Sequence, residues 1–185
     1  MAGVLFVAYP IVVWKGLQAG SPRTIALVLL AILAPAAFLR MRASSREKVQ
    51  GVAFLPLLSV ACLTLASVLD HAGFILVVPV LINALMLVSF GATLRSGSMP
   101  MIERFARLQE EHLSDAQREW CLLWTRIWCA FFALNGTTAL VLAVFAPLDW
   151  WAFYNGLLAY GLIGTLLASE WILRRRRFYA SGTGE

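Results

Sequence analysis

Two long apolar runs joined by a short Pro-Asp turn constrain this chain more than any other feature. They lie within residues 114–177, and a block of four arginines, Arg174–Arg177, follows the second run. Each run reaches the roughly 20 apolar residues that an α-helix needs to cross the ~30 Å hydrocarbon core of a bilayer. The stretch therefore predicts a membrane-crossing helical hairpin whose C-terminal end is kept on one side of the membrane by the four arginines.

The composition extends this interpretation to the whole chain. Hydrophobic residues make up 61% of the 185 residues, and the mean hydropathy is +0.78, whereas soluble domains contain roughly 45–50% apolar residues. Because the excess lies in blocks, residues 1–185 are predicted to form a single all-α integral membrane domain. The net charge of +5 lies beside the apolar runs, with no basic aromatic platform outside them. This arrangement favours membrane orientation over nucleic-acid binding.

Six apolar segments predict a polytopic bundle of about six transmembrane helices. They lie near residues 2–18, 23–40, 51–69, 73–94, 120–146 and 150–173. Most of the 15 basic residues follow the second, fourth and sixth segments. These are Arg40, Arg42, Arg46 and Lys48, then Arg95, Arg104, Arg107 and Arg118, then Arg174–Arg177. By the positive-inside rule, these connections and both termini are expected to be cytoplasmic.

The first segment is the least regular of the six. It is short, contains Pro10 and ends at Lys15, whose side chain can reach the membrane surface. No basic residue precedes its apolar core, so we expect no cleaved signal peptide. A tilted or re-entrant first helix stays open as an alternative to a full span. At the outer turns, Asp70 with His71 and Asp149 are predicted to cap helices.

Residues 98–113 have the pattern of a short amphipathic helix on the membrane surface. Apolar residues recur there at helical spacing, Pro100 suits a first helical turn, and Ser98 suits the cap. The candidate interfacial residues are Glu103, Arg104 and Phe105. Because acidic and basic residues almost balance, contact with the protein's own helix ends or with a partner is expected as much as binding to anionic lipid. A capping box of Ser114 and Gln117 is then predicted to begin the fifth helix.

Polar and aromatic residues inside the predicted spans are the candidate functional positions. An amide is costly in lipid and is expected to face another helix, where its hydrogen bond contributes about 0.6–2 kcal/mol. Packing within the protein and the lining of a lipid-accessible groove both fit such a set. The candidates are Asn83, Trp128, Phe132, Asn135, Tyr154 and Asn155.

The two asparagines of the predicted hairpin differ in depth. The helical rise places Asn135 about 9 Å deeper than Asn155, so we expect no direct bond between them. We expect Asn135 to bond to Trp128, Asn83 or Tyr160. Tyr154 and Asn155 are expected to face a polar outer groove.

Three charged residues complete the candidate positions. Glu170 precedes Arg174 by one helical turn, an order that favours an ion pair. Arg126 lies about two turns inside the fifth helix, where it either reaches back to the surface or pairs with Glu170.

The remaining chemistry of the sequence is sparse. Cys121 and Cys129 lie about 12 Å apart along one helix, too far for a disulfide, and Cys62 is in another span. No metal-ligand spacing, nucleophile elbow or phosphate-binding loop occurs in the sequence. We therefore expect no metal and no cofactor, and we favour a role without catalysis.

Three segments of the chain are similar to a known family. They are Pro100–Phe105, which reads Pro-Met-Ile-Glu-Arg-Phe, Trp128 to Gly136 in a W-x-x-F-F-x-x-x-G arrangement, and Tyr160–Gly164. In these segments and in its layout the chain resembles the intracellular septation protein A family of bacterial inner-membrane proteins. It departs from that family at Ala139 and at Tyr154-Asn155-Gly156. There it looks closer to a sister group of uncharacterised membrane proteins encoded near aryl-polyene or fatty-acid-like synthesis genes.

The resemblance implies a bacterial inner-membrane protein with a cell-envelope role and no established catalytic residues. One hypothesis is a non-enzymatic organiser of the envelope or septum that acts through helix packing and residues 98–113. Another is a helper or carrier for a lipid-linked acyl or aryl-polyene type product, bound in the predicted groove. The expected partners are membrane lipids and other envelope or lipid-synthesis membrane proteins. Small residues at Gly161/Thr165 and Gly164/Ala168 also permit a homo-oligomer.

Overall fold

The chain is helical almost throughout in the computed structural model, which describes residues 2–43, 55–95, 97–108, 110 and 112–178. In chain order the helices are α1 (Ala2–Ala19), α2 (Pro22–Ala43), α3 (Leu55–Leu69), α4 (Gly73–Leu76), α5 (Val78–Ala92), α6 (Met101–Ala106), α7 (Asp115–Phe145), α8 (Leu148–Phe153), a π-helical turn (Tyr154–Leu158) and α9 (Ala159–Phe178). A helix satisfies its backbone polar groups internally, which suits the long apolar runs. The all-α prediction is confirmed for the described residues, which contain no strand.

Three helical stretches are long and apolar enough to cross a membrane by length and composition. They are Gly73–Ala92, Asp115–Phe145 and Leu148–Phe178, which correspond to the fourth, fifth and sixth predicted spans. The second and third predicted spans contain the shorter apolar stretches Pro22–Ile32 and Ser59–Leu69. A membrane protein is thus indicated, while the count of six spans stays a prediction. The predicted positions Arg46, Lys48 and 51–54 lie outside the described residues.

The predicted hairpin of the last two spans contributes little to the packing of the helices. α2 packs along α3, and α5 packs along α7, while α1 packs against α8 and the π-helical turn. α9 contacts α7 at only a few positions, and apolar side chains such as Leu162 and Leu167 on α9 are exposed. The final hairpin is therefore not the centre of the bundle. We call the end that holds Arg174–Arg177 the basic end, and the end that holds Asp70 and Asp149 the opposite end.

Pro79 lies at the start of α5, where the fourth predicted span is divided into α4 and α5. Proline offers no N–H to the carbonyl four residues before it, which here is that of Ile75. The Tyr9 hydroxyl of α1 donates to this oxygen at 2.7 Å, and the Trp151 indole donates to the Leu76 carbonyl at 3.1 Å. The break therefore ties the first and last parts of the chain to the fourth predicted span. Ile75 and Trp151 are fully buried there.

Side-chain caps hold the opposite end together. The predicted capping role of Asp70 and His71 at their own turn is met only in part. His71 Nδ1 accepts the backbone N–H of Gly73, the first residue of α4, at 3.0 Å, whereas Asp70 Oδ1 accepts that of Arg23 at 2.8 Å and so caps α2. Asp70 adopts a positive φ of 49° in this turn. Because Arg23 lies in the first turn of α2, the Asp70 carboxylate satisfies a helix terminus that is distant in sequence.

The predicted cap at Asp149 is wrong. Pro147 occupies the cap position of α8 and makes no side-chain bond to the helix. Asp149 instead accepts a hydrogen bond from the Trp14 indole, so its carboxylate joins α8 to α1.

Candidate functional site

Three polar side chains meet inside the bundle and form what we call the amide network: Asn83 of α5, Asn135 of α7 and Tyr154 of the π-helical turn. The Tyr154 hydroxyl donates to Asn135 Oδ1 at 2.8 Å, and Asn135 Nδ2 donates to Asn83 Oδ1 at 3.0 Å. Asn83 Nδ2 donates in turn to the Pro79 carbonyl at 2.8 Å. Each amide thus uses both its oxygen and its nitrogen within the protein.

Gly136 permits the close approach of α5 and α7 beside the amide network. A Cβ atom at this position would lie 3.0 Å from the Cβ of Asn83, closer than carbon atoms pack without displacement. Small residues serve this purpose where helices pack in membranes, because they let two backbones come together. The glycine therefore sets the distance at which Asn83 reaches Asn135.

The π-helical turn brings Tyr154 to the amide network. Single π-helical turns within α-helices are rare and occur frequently at functional positions. Asn155, which is 5% exposed, donates its Nδ2 to the Trp151 carbonyl at 2.9 Å. A Cβ on Gly156 would lie 3.4 Å from Pro10 of α1. One side of the turn thus packs on α1, while its tyrosine bonds to α7.

The structure brings together three of the six residues predicted to line a groove or to pack within the protein. Trp128 and Phe132 pack instead in a buried aromatic cluster with Phe90 of α5, and the Trp128 and Phe132 ring centroids are 5.5 Å apart. Of the partners predicted for Asn135, Asn83 is confirmed, and the hydroxyl bonded to Asn135 is that of Tyr154.

The predicted polar outer groove of Tyr154 and Asn155 is wrong. The Tyr154 hydroxyl donates to Asn135, and the Asn155 amide is buried and donates to the Trp151 carbonyl one turn earlier in the chain. The prediction that Asn135 and Asn155 do not bond each other agrees with these separate partners.

The surface segment is held on the bundle by two threonines. Its helix, α6, covers only part of the predicted range 98–113, within which residues 109 and 111 lie outside the described residues. Met101 N–H donates to Thr93 Oγ1 at 3.0 Å, and Ile102 N–H donates to Thr125 Oγ1 at 3.2 Å. Hydroxyls from the end of α5 and from α7 thus satisfy helix N–H groups that lack partners within α6.

The predicted Ser98 cap of this helix is wrong. Pro100 occupies the cap position and makes no side-chain hydrogen bond to the helix. The capping box at Ser114 is confirmed: Ser114 Oγ accepts Gln117 N–H at 3.3 Å, and Gln117 Oε1 accepts Ser114 N–H at 2.8 Å.

The side chains of α6 divide between the bundle and the surface. Glu103 is buried and pairs with Arg107 at 2.8 Å, while Arg104 Nε donates to a backbone carbonyl of the preceding segment at 3.1 Å. Phe105 and Leu108 are 42% and 81% exposed. The helix therefore contacts the protein's own bundle on one face, one of the predicted alternatives, while Phe105 of the helix and Leu108 just after it point outward.

A second polar group, which we call the tryptophan seam, lies at the basic end. It consists of Trp120 and Trp124 of α7 with Glu170 and Arg174 of α9. Four of its polar atoms are covered and have no hydrogen-bond partner among the described residues: both indole Nε1 atoms, Glu170 Oε1 and Arg174 Nε. An unsatisfied buried donor or acceptor costs about 1–3 kcal/mol, and native proteins contain few of them.

The two charged residues of the seam are loosely paired. Arg174 Nη1 lies 3.9 Å from Glu170 Oε1, and Arg174 Nη2 lies 3.5 Å from the Cys121 sulfur. The ion pair predicted from the one-turn spacing is thus present. Arg126, the alternative partner of Glu170, is exposed on α7, and among the described residues the two form no ion pair.

No other observation assigns a ligand or a family to these sites. Among the described residues, no group of three or more His, Cys, Asp or Glu side chains is placed to hold a metal ion. Comparison of the chain with protein-family models, curated proteins and solved structures gives no match. The candidate sites therefore rest on their own geometry.

Proposed function

We propose that this protein is a non-enzymatic organiser of the cell envelope or septum in the bacterial inner membrane. The observation that carries this proposal is the attachment of α6, whose N–H groups bond to Thr93 and Thr125. Phe105 of the fixed helix and Leu108 just after it are exposed, and they form a contact surface for another envelope protein. The resemblance to the intracellular septation protein A family supports the same role.

The proposal includes six spans with both termini in the cytoplasm. It is supported by the basic residues that follow alternate apolar segments. Reporter fusions after Arg42, Gly97 and Arg177 are expected to report a cytoplasmic location. An external reporter after Arg177 would contradict this topology.

Complementation in the native bacterium tests the organiser role. Removal of the chain is expected to lengthen cells or increase their sensitivity to detergent, and the wild-type chain restores both properties. Phe105→Glu is expected to insert normally and yet fail to restore them, because it places a charge on the proposed contact surface. Glu119→Gln, an exposed change at the start of α7, serves as the matched control. Unchanged cell length and envelope after removal of the chain would sink the proposal.

The alternative function is a helper or carrier for a lipid-linked acyl or aryl-polyene type product. The unpartnered polar atoms of the tryptophan seam favour it, because such atoms at a membrane surface suit a lipid headgroup. In this case, removal of the chain is expected to leave septa normal and to change the lipid-linked products in the membrane. Mass spectrometry of extracted lipids distinguishes this outcome from a septation defect.

A further inference from the structure

We propose that the tryptophan seam binds the headgroup of an aminophospholipid. The phosphate accepts hydrogen bonds from the N–H groups of Trp120, Trp124 and Arg174, and the primary ammonium donates to Glu170. These are the residues whose buried polar atoms lack partners among the described residues. Trp124 is 4% exposed and Trp120 is 9% exposed, so both indoles are held within the protein.

The numbers of donors and acceptors among the four atoms indicate which kind of headgroup can bind. Three of them are N–H donors, and a phosphodiester offers two charged oxygens that accept several hydrogen bonds, including a charge-assisted bond from a guanidinium. The fourth atom, Glu170 Oε1, is an acceptor that faces Arg174 Nη1 at 3.9 Å, too far for a hydrogen bond, and so still has room for a donor. A primary ammonium supplies both N–H groups and positive charge. The quaternary ammonium of phosphatidylcholine has no N–H, and the glycerol of phosphatidylglycerol has no charge.

The surroundings of the seam suit a lipid. Tryptophans at helix ends lie at the level of lipid headgroups, and the exposed side chains of Leu123 and Leu167 provide apolar surface for acyl chains on the adjoining turns. The last turn of α9 covers the seam: the Arg177 guanidinium lies 5.4 Å from the Trp120 ring centre, and the Phe178 ring lies 5.9 Å from it. Entry of a headgroup therefore requires this last turn to move outward.

This inference rests on the proposed placement of the basic end at a membrane surface. It does not depend on the organiser role or on which face of the membrane that end occupies. A failure of lipid binding and a failure of complementation are therefore separate results.

Native mass spectrometry of the full-length chain tests the site. The protein is reconstituted in nanodiscs with equal amounts of phosphatidylethanolamine, phosphatidylglycerol and phosphatidylcholine, and the lipid retained after release is counted. The wild-type chain is expected to retain one phosphatidylethanolamine in preference to the other two lipids. Trp124→Phe removes the indole donor, and Arg174→Gln replaces the charged guanidinium with a neutral amide. Each change is expected to reduce this retention roughly tenfold.

Glu170→Gln tests the ammonium contact separately. This variant is expected to keep a phospholipid while losing the preference for phosphatidylethanolamine over phosphatidylglycerol. Trp150→Phe, a change at an exposed tryptophan of the opposite end, is expected to alter neither property. Circular dichroism and gel filtration check that each variant is folded. If Trp124→Phe does not fold, the lipid selectivity of Glu170→Gln tests the proposal instead.

Three results would overturn the proposal. One is equal retention of the three lipids by the wild-type chain. Another is unchanged retention in both Arg174→Gln and Trp124→Phe. The third is displacement of the lipid by millimolar inorganic phosphate, which would reassign the seam to a free anion.

Discussion

The amide network joins α5, α7 and the π-helical turn, and the tryptophan seam lies between α7 and α9. The two regions differ in whether their polar atoms are hydrogen-bonded within the protein. In the amide network, the amides of Asn83 and Asn135 are bonded at both oxygen and nitrogen. In the seam, about 16 Å along α7 from Asn135 to Trp124, four buried polar atoms have no hydrogen-bond partner among the described residues. Satisfied polar groups specify how the helices pack, whereas buried groups without a partner require an explanation, which at the seam we propose is a bound lipid headgroup.

The largest expected effect lies in the amide network. Asn135→Leu removes two hydrogen bonds and leaves Asn83 Oδ1 and the Tyr154 hydroxyl unsatisfied, so we expect the free energy of unfolding to fall by about 2–4 kcal/mol. Unfolding of the purified protein by sodium dodecyl sulfate in mixed micelles measures this change. Thr138→Val removes a hydroxyl that bonds only within its own helix and provides the control. Equal stability of the two variants would show that the network does not hold the bundle together.

A smaller effect is expected from the glycine beside the network. Gly136→Ala places a methyl group 3.0 Å from Asn83 Cβ and is expected to lower the free energy of unfolding by about 1 kcal/mol. Gly164→Ala is the matched control, since no atom lies within 4 Å of a Cβ at that position. Because alanine is the better helix former, the control is expected to be neutral or slightly stabilising. The same denaturant titration compares the pair, and an equal loss in both variants would argue against close packing at Gly136.

The smallest effect on stability is expected in the seam. Trp124→Phe keeps an aromatic ring and removes an indole N–H that has no partner among the described residues. Only the smaller volume of the buried ring is expected to lower the free energy of unfolding in lipid-free detergent, by about 0.5–1 kcal/mol. Added phosphatidylethanolamine is expected to stabilise the wild-type chain more than this variant. A loss of more than about 2 kcal/mol without lipid would exceed the cost of the smaller ring. It would mean that the indole N–H is satisfied within the protein, and the contrast between the two regions would fail.

Features decided by local spacing could be predicted from the sequence. The all-α class follows from the long apolar runs, and the capping box at Ser114 and the pair of Glu170 with Arg174 follow from three- and four-residue spacings. Asn83 could be named as a partner of Asn135 because few other polar groups occur in the predicted spans.

Features decided by residues far apart in the chain could not be predicted. Thr93 and Thr125 cap α6, and Asp70 caps α2 across 47 residues. Local spacing instead predicts Ser98 as the cap of α6 and assigns Asp70 to its own turn. The π-helical turn changes the direction of Tyr154, and no local pattern distinguished this turn from ordinary helix. For this reason the sequence predicts that Tyr154 faces an outer groove, although its hydroxyl bonds to Asn135.

The break at Pro79 has a consequence for biogenesis. The Ile75 carbonyl bonds to Tyr9, which leaves the ribosome earlier, but the Leu76 carbonyl bonds to Trp151, which is made 75 residues later. During insertion, the fourth segment therefore waits for the last one before this contact can form. We expect nascent chains that end before Trp151 to be degraded faster than the complete chain in a pulse-chase measurement, because the contact from α8 that completes the fourth segment is then missing.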